Sequence, residues 1–243
     1  MRRRPNAFTL IELLVVISII ALLIAMLMPA LRSAKAAARN AACLNRMHHS
    51  AIAVNAFAVD HRSLLPAAFG GNLNGTIPSG TGDGKYFTDY LEDYMAVADD
   101  QTSDYYMCPE SVMDPLTGQK LLSYSANGLL MVNLQVEERR IDYANVGRVS
   151  EIILMGDASQ NSGAGTSGPN FSGPFMGPFF NPANANVPLA ITQSENIDDI
   201  TTNGYHLRFR HNVESTANNA YLDGHAESSR IGLVFQKNLA TAY

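Results

Sequence analysis

The chain has 243 residues, a formal net charge of −5, 47 % hydrophobic and only 16 % charged residues, and no tryptophan. This length accommodates one membrane helix and one globular domain. The acidic balance argues against a nucleic-acid binder, because affinity for phosphate rests on clustered Lys and Arg, so no nucleic-acid partner is expected.

The start of the chain carries the most informative pattern. Residues 2–4 are all arginine, and an apolar run from Leu13 to Met28 follows, interrupted only by Ser18. Residues 8–28 are 21 positions, or about 32 Å of helix, which is enough to cross a hydrocarbon core of about 30 Å. The arginines predict that the beginning stays cytoplasmic and that the rest of the chain lies outside.

Glu12 stands at the entrance of this run. A carboxylate at the centre of a membrane helix costs about 2.5–3.5 kcal/mol on insertion scales, and such charges usually mark function. Two other interpretations remain open. Glu12 could reach the lipid headgroups with its side chain, or the segment could be an ordinary secretory signal peptide cut near Ala34 or Ala36. The apolar run is longer than is usual for such peptides.

The segment Ala7-Phe8-Thr9-Leu10-Ile11-Glu12 resembles the cleavage and methylation site of type IV prepilins and type II secretion pseudopilins. The resemblance implies that a prepilin peptidase cuts between Ala7 and Phe8 and that Phe8 becomes methylated. It also implies that Glu12 serves assembly, by pairing with the new amino terminus of a neighbouring subunit. Ala7 stands where glycine is more usual. Pro29 matches the family's mid-helix proline and predicts a helix kink.

The same resemblance implies an α+β, pilin-like fold in which a long N-terminal α-helix packs on an antiparallel β-sheet head. We expect a leader at 1–7, a transmembrane helix at 8–29, its amphipathic continuation at 30–62 and an extracytoplasmic head at 63–243. Apolar residues at spacings of 3 and 4 support the continuation. They are Leu44, Met47, Ala51, Val54 and Ala58, and the basic residues Arg32, Lys35, Arg39 and Arg46 lie off that stripe.

The chain has two cysteines, Cys43 in the predicted helix and Cys108 before a proline. Outside the cytoplasm two cysteines indicate a possible disulfide. Closing the 66-residue loop would contribute about 4 kcal/mol by the loop-entropy argument. Two buried free thiols are the alternative, because unpaired cysteine is among the most buried residue types.

Within the head, the pattern predicts several short elements. We expect a helix that uses Phe87, Tyr90, Leu91 and Tyr94, and a long loop at 163–188 that faces a partner or another subunit. Strand-like runs cover 121–125, 129–134 and 151–155, and residues 205–210 alternate. A hairpin over 219–227 should turn at Asp223-Gly224, the pair preferred in a type I′ turn because both central residues need positive φ.

His211 followed by Asp223-Gly224 resembles the marker of a pseudopilin-like family common in planctomycetes and related bacteria, although the eleven intervening residues are two more than its usual nine. Cys108-Pro109, the segment 123–127 and Gly156-Asp157 look like further pieces of that pattern. His211, Asp157, Asp223 and His225 could form a metal centre, but neither zinc nor calcium spacing is present. Turn chemistry and a buried hydrogen bond are the simpler explanation, so no metal and no cofactor are expected.

No Gly-x-Ser-x-Gly motif or recognisable Cys–His pair indicates an enzyme. We therefore expect a structural subunit of a pilus-like or type II secretion pseudopilus filament, held in the inner membrane with its head outside. Its expected partners are other pilin or pseudopilin subunits, the prepilin peptidase, an inner-membrane assembly platform and membrane lipid. The alternatives are a single-pass anchored binding protein that does not polymerise, and a minor pilin that captures DNA.

Overall fold

The computed structural model describes residues 9–68, 87–95, 105–111, 123–131, 140–158, 186 and 207–239. The chain divides into two compact units, Met1–Ala38 and Arg39–Tyr243. Helix α1, Leu10–Asp60, supplies the described helix of the first unit and the central helix of the second. Ala7 and Phe8 lie outside the described residues, as does nearly all of the expected loop at 163–188.

The first part of α1 is exposed and apolar. Its large hydrophobic side chains from Leu10 to Leu31 are 47–79 % exposed. The helix includes Pro29, and the residues on both sides of it are helical. A proline there removes one backbone donor, so the segment depends on the other helical hydrogen bonds. The predicted kink at this residue stays a prediction.

The second part of α1 buries one face in the head. Met47, Ala51, Val54 and Ala58 of the predicted stripe are buried, and Leu44 is partly buried. The buried stripe also includes Cys43, Ser50 and Phe57. The helix ends where the chain turns left-handed at Arg62 and Ser63, and the Ser63 amide donates to the Ala58 carbonyl at 2.8 Å. That bond satisfies a carbonyl that the helix end leaves open.

The head contains a four-stranded antiparallel sheet in the order β1-β2-β3-β4, which confirms the expected α+β fold. The strands are β1 (Tyr124–Ala126), β2 (Ile153–Asp157), β3 (Thr216–Tyr221) and β4 (Ala226–Arg230). Strand β2 is buried along its whole length, including Asp157 at its end. Its register against β3 shifts between Ile153 and Met155.

Two hydrophobic clusters form the core, and β2 contributes residues to both. Leu154 belongs to the cluster that contains the buried face of α1, whereas Ile153 belongs to a second cluster with Leu207 and Phe209. Successive strand residues point to opposite faces. The sheet therefore packs on α1 through one face and on residues 207–209 and 234–239 through the other.

Strand β3 is buried although its sequence is polar. Asn218 and Asn219 are both 0 % exposed. The side-chain Nδ2 of Asn218 donates to Asn40 Oδ1 of α1 at 2.7 Å, and the side-chain Nδ2 of Asn219 donates to Ser229 Oγ at 3.0 Å. Buried amides are tolerated when they are hydrogen-bonded, so β3 uses polar contacts to fix its position beside the helix.

The predicted strand at 129–134 is wrong over its described part, because residues 129–131 form a turn. Asn127 causes it. Its Oδ1 accepts from the Leu129 amide at 3.0 Å, and its carbonyl accepts from the Met131 amide at 2.8 Å. An Asn side chain that binds the backbone two residues on competes with strand pairing, and Leu130 and Met131 are buried from within the turn.

The other predicted elements are mostly present. Helix α2, Phe87–Leu91, continues as a 3₁₀ turn at Glu92–Tyr94, which confirms the short helix. The strand predicted at 151–155 lies two residues further along the chain, as β2, and the strand predicted at 121–125 is present over its last two residues in β1, which ends one residue later. Of the alternating segment 205–210, Leu207 pairs with Ala158 in a single bridge.

The hairpin between β3 and β4 is confirmed, but its predicted type I′ turn is wrong. Gly224 has a φ of +100°, whereas Asp223 does not have a positive φ. The Gly224 amide donates to the Tyr221 carbonyl at 3.0 Å, and the Tyr221 amide donates to the His225 carbonyl at 2.8 Å. This pattern is that of a three-residue loop, in which one left-handed glycine follows a tight turn.

Replacing Gly156 with alanine should lower the free energy of unfolding by about 1–3 kcal/mol, the usual range for overpacking. The added Cβ would lie 2.9 Å from Leu207 Cδ2 and 3.4 Å from the Asn218 carbonyl oxygen. Gly147→Ala is the control, because nothing lies within 4 Å of a Cβ there. Denaturant unfolding of the two variants should separate them, and equal stability would contradict the close packing of β2 on β3.

Candidate functional site

Thr9 and Glu12 close the first turn of α1. The Thr9 amide and the Thr9 hydroxyl each donate to Glu12 Oε2 at 2.9 Å, and the Glu12 amide donates to Thr9 Oγ1 at 3.3 Å. The helix begins at Leu10, so Thr9 is the N-cap residue and Glu12 is the third helical residue. This reciprocal arrangement is a capping box, in which two side chains satisfy amides that the helix start leaves open.

Glu12 is therefore not an unsatisfied acid in the single chain. Its side chain is exposed at the start of an exposed apolar helix, and a carboxylate there is favoured by the helix dipole. The same carboxylate has a second oxygen, Oε1, that the capping box does not use. The geometry thus allows Glu12 to cap its own helix and to accept a further donor.

A second group of polar side chains lies inside the head, around the two cysteines. Cys43 of α1 and Cys108 are disulfide-bonded, with their Cα atoms 5.4 Å apart and both residues almost fully buried. The bond joins the helix to the segment at 105–111. The Cys108 amide donates to Ser123 Oγ, so the same segment is also held against the start of β1.

His211 lies beside this disulfide, between two carboxylates. It is 0 % exposed, with Nδ1 2.8 Å from Glu110 Oε2 and Nε2 3.2 Å from Asp157 Oδ2. The contact at Nδ1 is close in distance but not aligned as a hydrogen bond. His211 Nε2 also lies 3.4 Å from Cys108 Sγ. Asp157 is therefore a buried partner of His211, of the kind that the simpler sequence interpretation expected.

Arginines stand at both ends of this cluster. Arg39 Nε of α1 lies 3.2 Å from Glu110 Oε1, and Arg210 Nε lies 3.6 Å from Asp157 Oδ1. Asp157 Oδ2 also accepts from the Asn218 amide at 2.8 Å. Buried charges persist only when they are paired and hydrogen-bonded. The cluster therefore joins α1, the segment at 105–111, β2 and the segment at 207–211 through charged side chains and His211, and it joins β3 through the uncharged backbone amide of Asn218.

Tyr124 borders the same cluster, opposite Asp157 in the β1–β2 register. Burial, and next the negative charge of Asp157, raise the pKa of Tyr124 well above its usual range. The phenol is therefore protonated at neutral pH. Tyr124 therefore adds a buried hydroxyl group, but no charge, to the border of the cluster.

Asp223 and His225 form a separate pair on the β3–β4 turn. His225 Nδ1 lies 2.6 Å from Asp223 Oδ1, and both side chains are substantially exposed. The His225 ring stacks on Tyr221, and the Gly224 carbonyl lies 2.7 Å from His48 Nδ1 of α1. The four residues considered as one metal centre are thus two pairs, Asp157 with His211 and Asp223 with His225. The second pair serves the turn, as the simpler interpretation had it.

Sequence reasoning did not find Glu110, Arg39 and Arg210 as members of the buried cluster. Glu110 stands two residues after Cys108, and Arg210 directly precedes His211. The signal available in the sequence was one charged residue close to Cys108 and another next to His211. Surface charges have the same local appearance, so only the fold separates the two cases.

Comparison with known families adds one finding. The family described as the prokaryotic N-terminal methylation motif matches residues 2–28. No curated protein and no solved structure is significantly similar to the chain. Among the described residues, α1 is the one helix long and apolar enough to cross a membrane. Residues 2–28 therefore carry a prepilin-type cleavage and methylation segment, which indicates a type IV pilin-like or pseudopilin-like precursor.

Proposed function

We propose that the chain is a structural subunit of a pilus-like or type II secretion pseudopilus filament. The observation that supports this most directly is the methylation motif on an exposed apolar helix, followed in the same helix by a face buried in the head. Proteins with this motif are structural rather than catalytic. In such a subunit, the first part of α1 would contact the membrane or neighbouring subunits, and the second part would carry the head.

Processing by a prepilin peptidase would cut between Ala7 and Phe8 and remove the arginine leader, residues 1–7. The formal side-chain charge would then change from −5 to −8. The new amino terminus, Phe8, would stand two residues before the first residue of α1, Leu10, in the sequence. We propose that Glu12 of one subunit pairs with this amine of a neighbour, because two charges that are poorly placed alone in lipid become tolerable together.

Before assembly, residues 8–29 would hold the subunit in the inner membrane, with 30–62 and the head at 63–243 outside. The exposed side chains from Leu10 to Leu31 support this, because so large an apolar surface needs lipid or protein around it. An inner-membrane platform would move the subunit from lipid into the filament, where the helices of other subunits replace the lipid. Pro29 would then supply a kink for packing.

One observation favours a second candidate, a single-pass anchored binding protein that does not polymerise. In the single chain Glu12 already accepts two hydrogen bonds from Thr9. Its cost at the membrane boundary is thereby partly offset without a neighbour. The role of the Glu12 charge therefore separates the two candidates.

The mass of the mature N-terminal peptide tests the first step of the proposal. Protein from membranes should begin with a methylated Phe8, and cells that lack the prepilin peptidase should retain residues 1–7. A start near Ala34 or Ala36 would instead mean that the segment is a secretory signal peptide. Retention of the arginine leader in wild-type cells would contradict the proposal as well.

A further inference from the structure

The cysteine pocket has the composition of a metal site. Cys43 Sγ, Cys108 Sγ and the His211 imidazole lie within 4.8 Å of one another, and all three residues are buried. Asp157 Oδ2 lies 3.2 Å from His211 Nε2 and borders this group without belonging to it. Two thiolates and an imidazole nitrogen are ligands that Zn²⁺ accepts in tetrahedral sites.

The surroundings of His211 resemble those of a histidine that binds a metal. Its Nδ1 lies 2.8 Å from Glu110 Oε2, close in distance although not aligned as a hydrogen bond, and Arg39 holds the other oxygen of that carboxylate at 3.2 Å. Ligating histidines almost always present their second nitrogen to a carboxylate, carbonyl or water, which fixes the ring and raises its basicity. Nε2 is left facing Cys108 Sγ and Asp157 Oδ2.

The surroundings of Cys108 point the same way. The Glu110 amide donates to Cys108 Sγ at 3.4 Å, and His211 Nε2 lies 3.4 Å from the same sulfur. Sulfur is a weak acceptor. A polar environment of this kind suits a charged thiolate, and hydrogen bonds in which one group is ionised are the stronger ones.

We propose that, when Cys43 and Cys108 are reduced, this pocket binds one Zn²⁺ through their two sulfurs and His211 Nε2. Binding releases the two thiol protons and transfers no electrons. The same two sulfurs either bond each other or bind the ion, so disulfide formation and zinc binding exclude one another. Either state joins α1 to the rest of the head, and this proposal is independent of the proposed filament role.

The test uses the full chain in detergent, reduced with a phosphine under nitrogen in the presence of excess ZnSO₄ and then freed of loose metal. Metal analysis should find about one zinc per reduced chain and none per oxidised chain. Co²⁺ in place of Zn²⁺ should give the intense charge-transfer absorption of thiolate ligation. These comparisons use the wild-type chain, so they need no variant to fold.

Cys43→Ser and His211→Gln should each abolish stoichiometric zinc binding by the reduced chain, whereas His225→Gln should leave it unchanged. His225 is the matched control because it also pairs with an aspartate, but at the exposed turn. Three results would overturn the proposal. The first is a reduced chain that contains no zinc, and the second is an oxidised chain that retains zinc. The third is a head that unfolds on reduction even with zinc present, because a coordinated ion should replace the covalent link.

Discussion

Glu12→Gln is expected to reduce assembled filament by at least about tenfold while leaving the head folded. Glutamine can occupy the third helical position of a capping box, so the contacts with Thr9 survive. It cannot neutralise the amino terminus of a neighbouring subunit. Loss of one charge pair in a poorly solvated position costs more than the 1.4 kcal/mol that corresponds to a factor of ten. Filament sheared from cells, measured against membrane-held subunit, gives the ratio.

Thr9→Ala is the matched control for that experiment. It removes the hydroxyl that donates to Glu12 and accepts from the Glu12 amide, yet it keeps the charge. Loss of an N-cap side chain costs about 0.5–2 kcal/mol, so α1 should fray at its start without preventing assembly. If Thr9→Ala stops assembly and Glu12→Gln does not, the carboxylate acts only as a cap, and the anchored binding protein becomes the better interpretation.

The helix and the hairpin could be predicted from sequence because each rests on local chemistry. Apolar residues at helical spacing predicted that the face containing Met47, Ala51 and Val54 would be buried. Asp223-Gly224 predicted the turn between β3 and β4. The turn type was wrong because Asp223 Oδ1 accepts from the His225 amide at 3.1 Å, which stabilises a turn that needs only one left-handed residue.

Other parts of the fold depend on contacts that the sequence does not display. The apolar run after Asn127 reads as a strand, but the Asn127 side chain donates to the Ile153 carbonyl at 2.7 Å and to the Leu239 carbonyl at 2.9 Å. These distant partners fix the turn. Likewise, the polar strand β3 is buried because Asn40 of α1 accepts from Asn218. A residue 178 positions away cannot be found from local pattern.

The two candidate sites also differ in how much of each could be predicted from the sequence. The motif around Glu12 is contiguous, so it could be read directly, although the capping box with Thr9 gives the acid a second role. The buried cluster draws Glu110, Asp157 and His211 from three separate segments. Sequence placed Asp157 and His211 together with Asp223 and His225 by residue type alone, and the fold separates those two pairs.

His211→Ala is expected to lower the free energy of unfolding of the oxidised protein by about 1–3 kcal/mol, the usual cost of leaving a buried polar group without its partner. Asp157 is 0 % exposed and Glu110 only 15 % exposed in their side chains, so neither carboxylate can recover its hydration easily. His211→Gln should cost less, because an amide still donates to one carboxylate. Urea unfolding of the detergent-solubilised chain measures both.

His225→Ala is the control, because it breaks a histidine–aspartate pair of similar length at the surface. The His225 and Asp223 side chains are 42 % and 32 % exposed, and exposed pairs are worth about 1 kcal/mol or less. Loss of the stacking on Tyr221 adds little, since that ring keeps its hydroxyl contact with Glu227 at 2.7 Å. If both alanine variants unfold at the same urea concentration, the buried carboxylates do not depend on His211. The marker histidine would then have a role outside the stability of the head, and the zinc pocket would be the first place to examine.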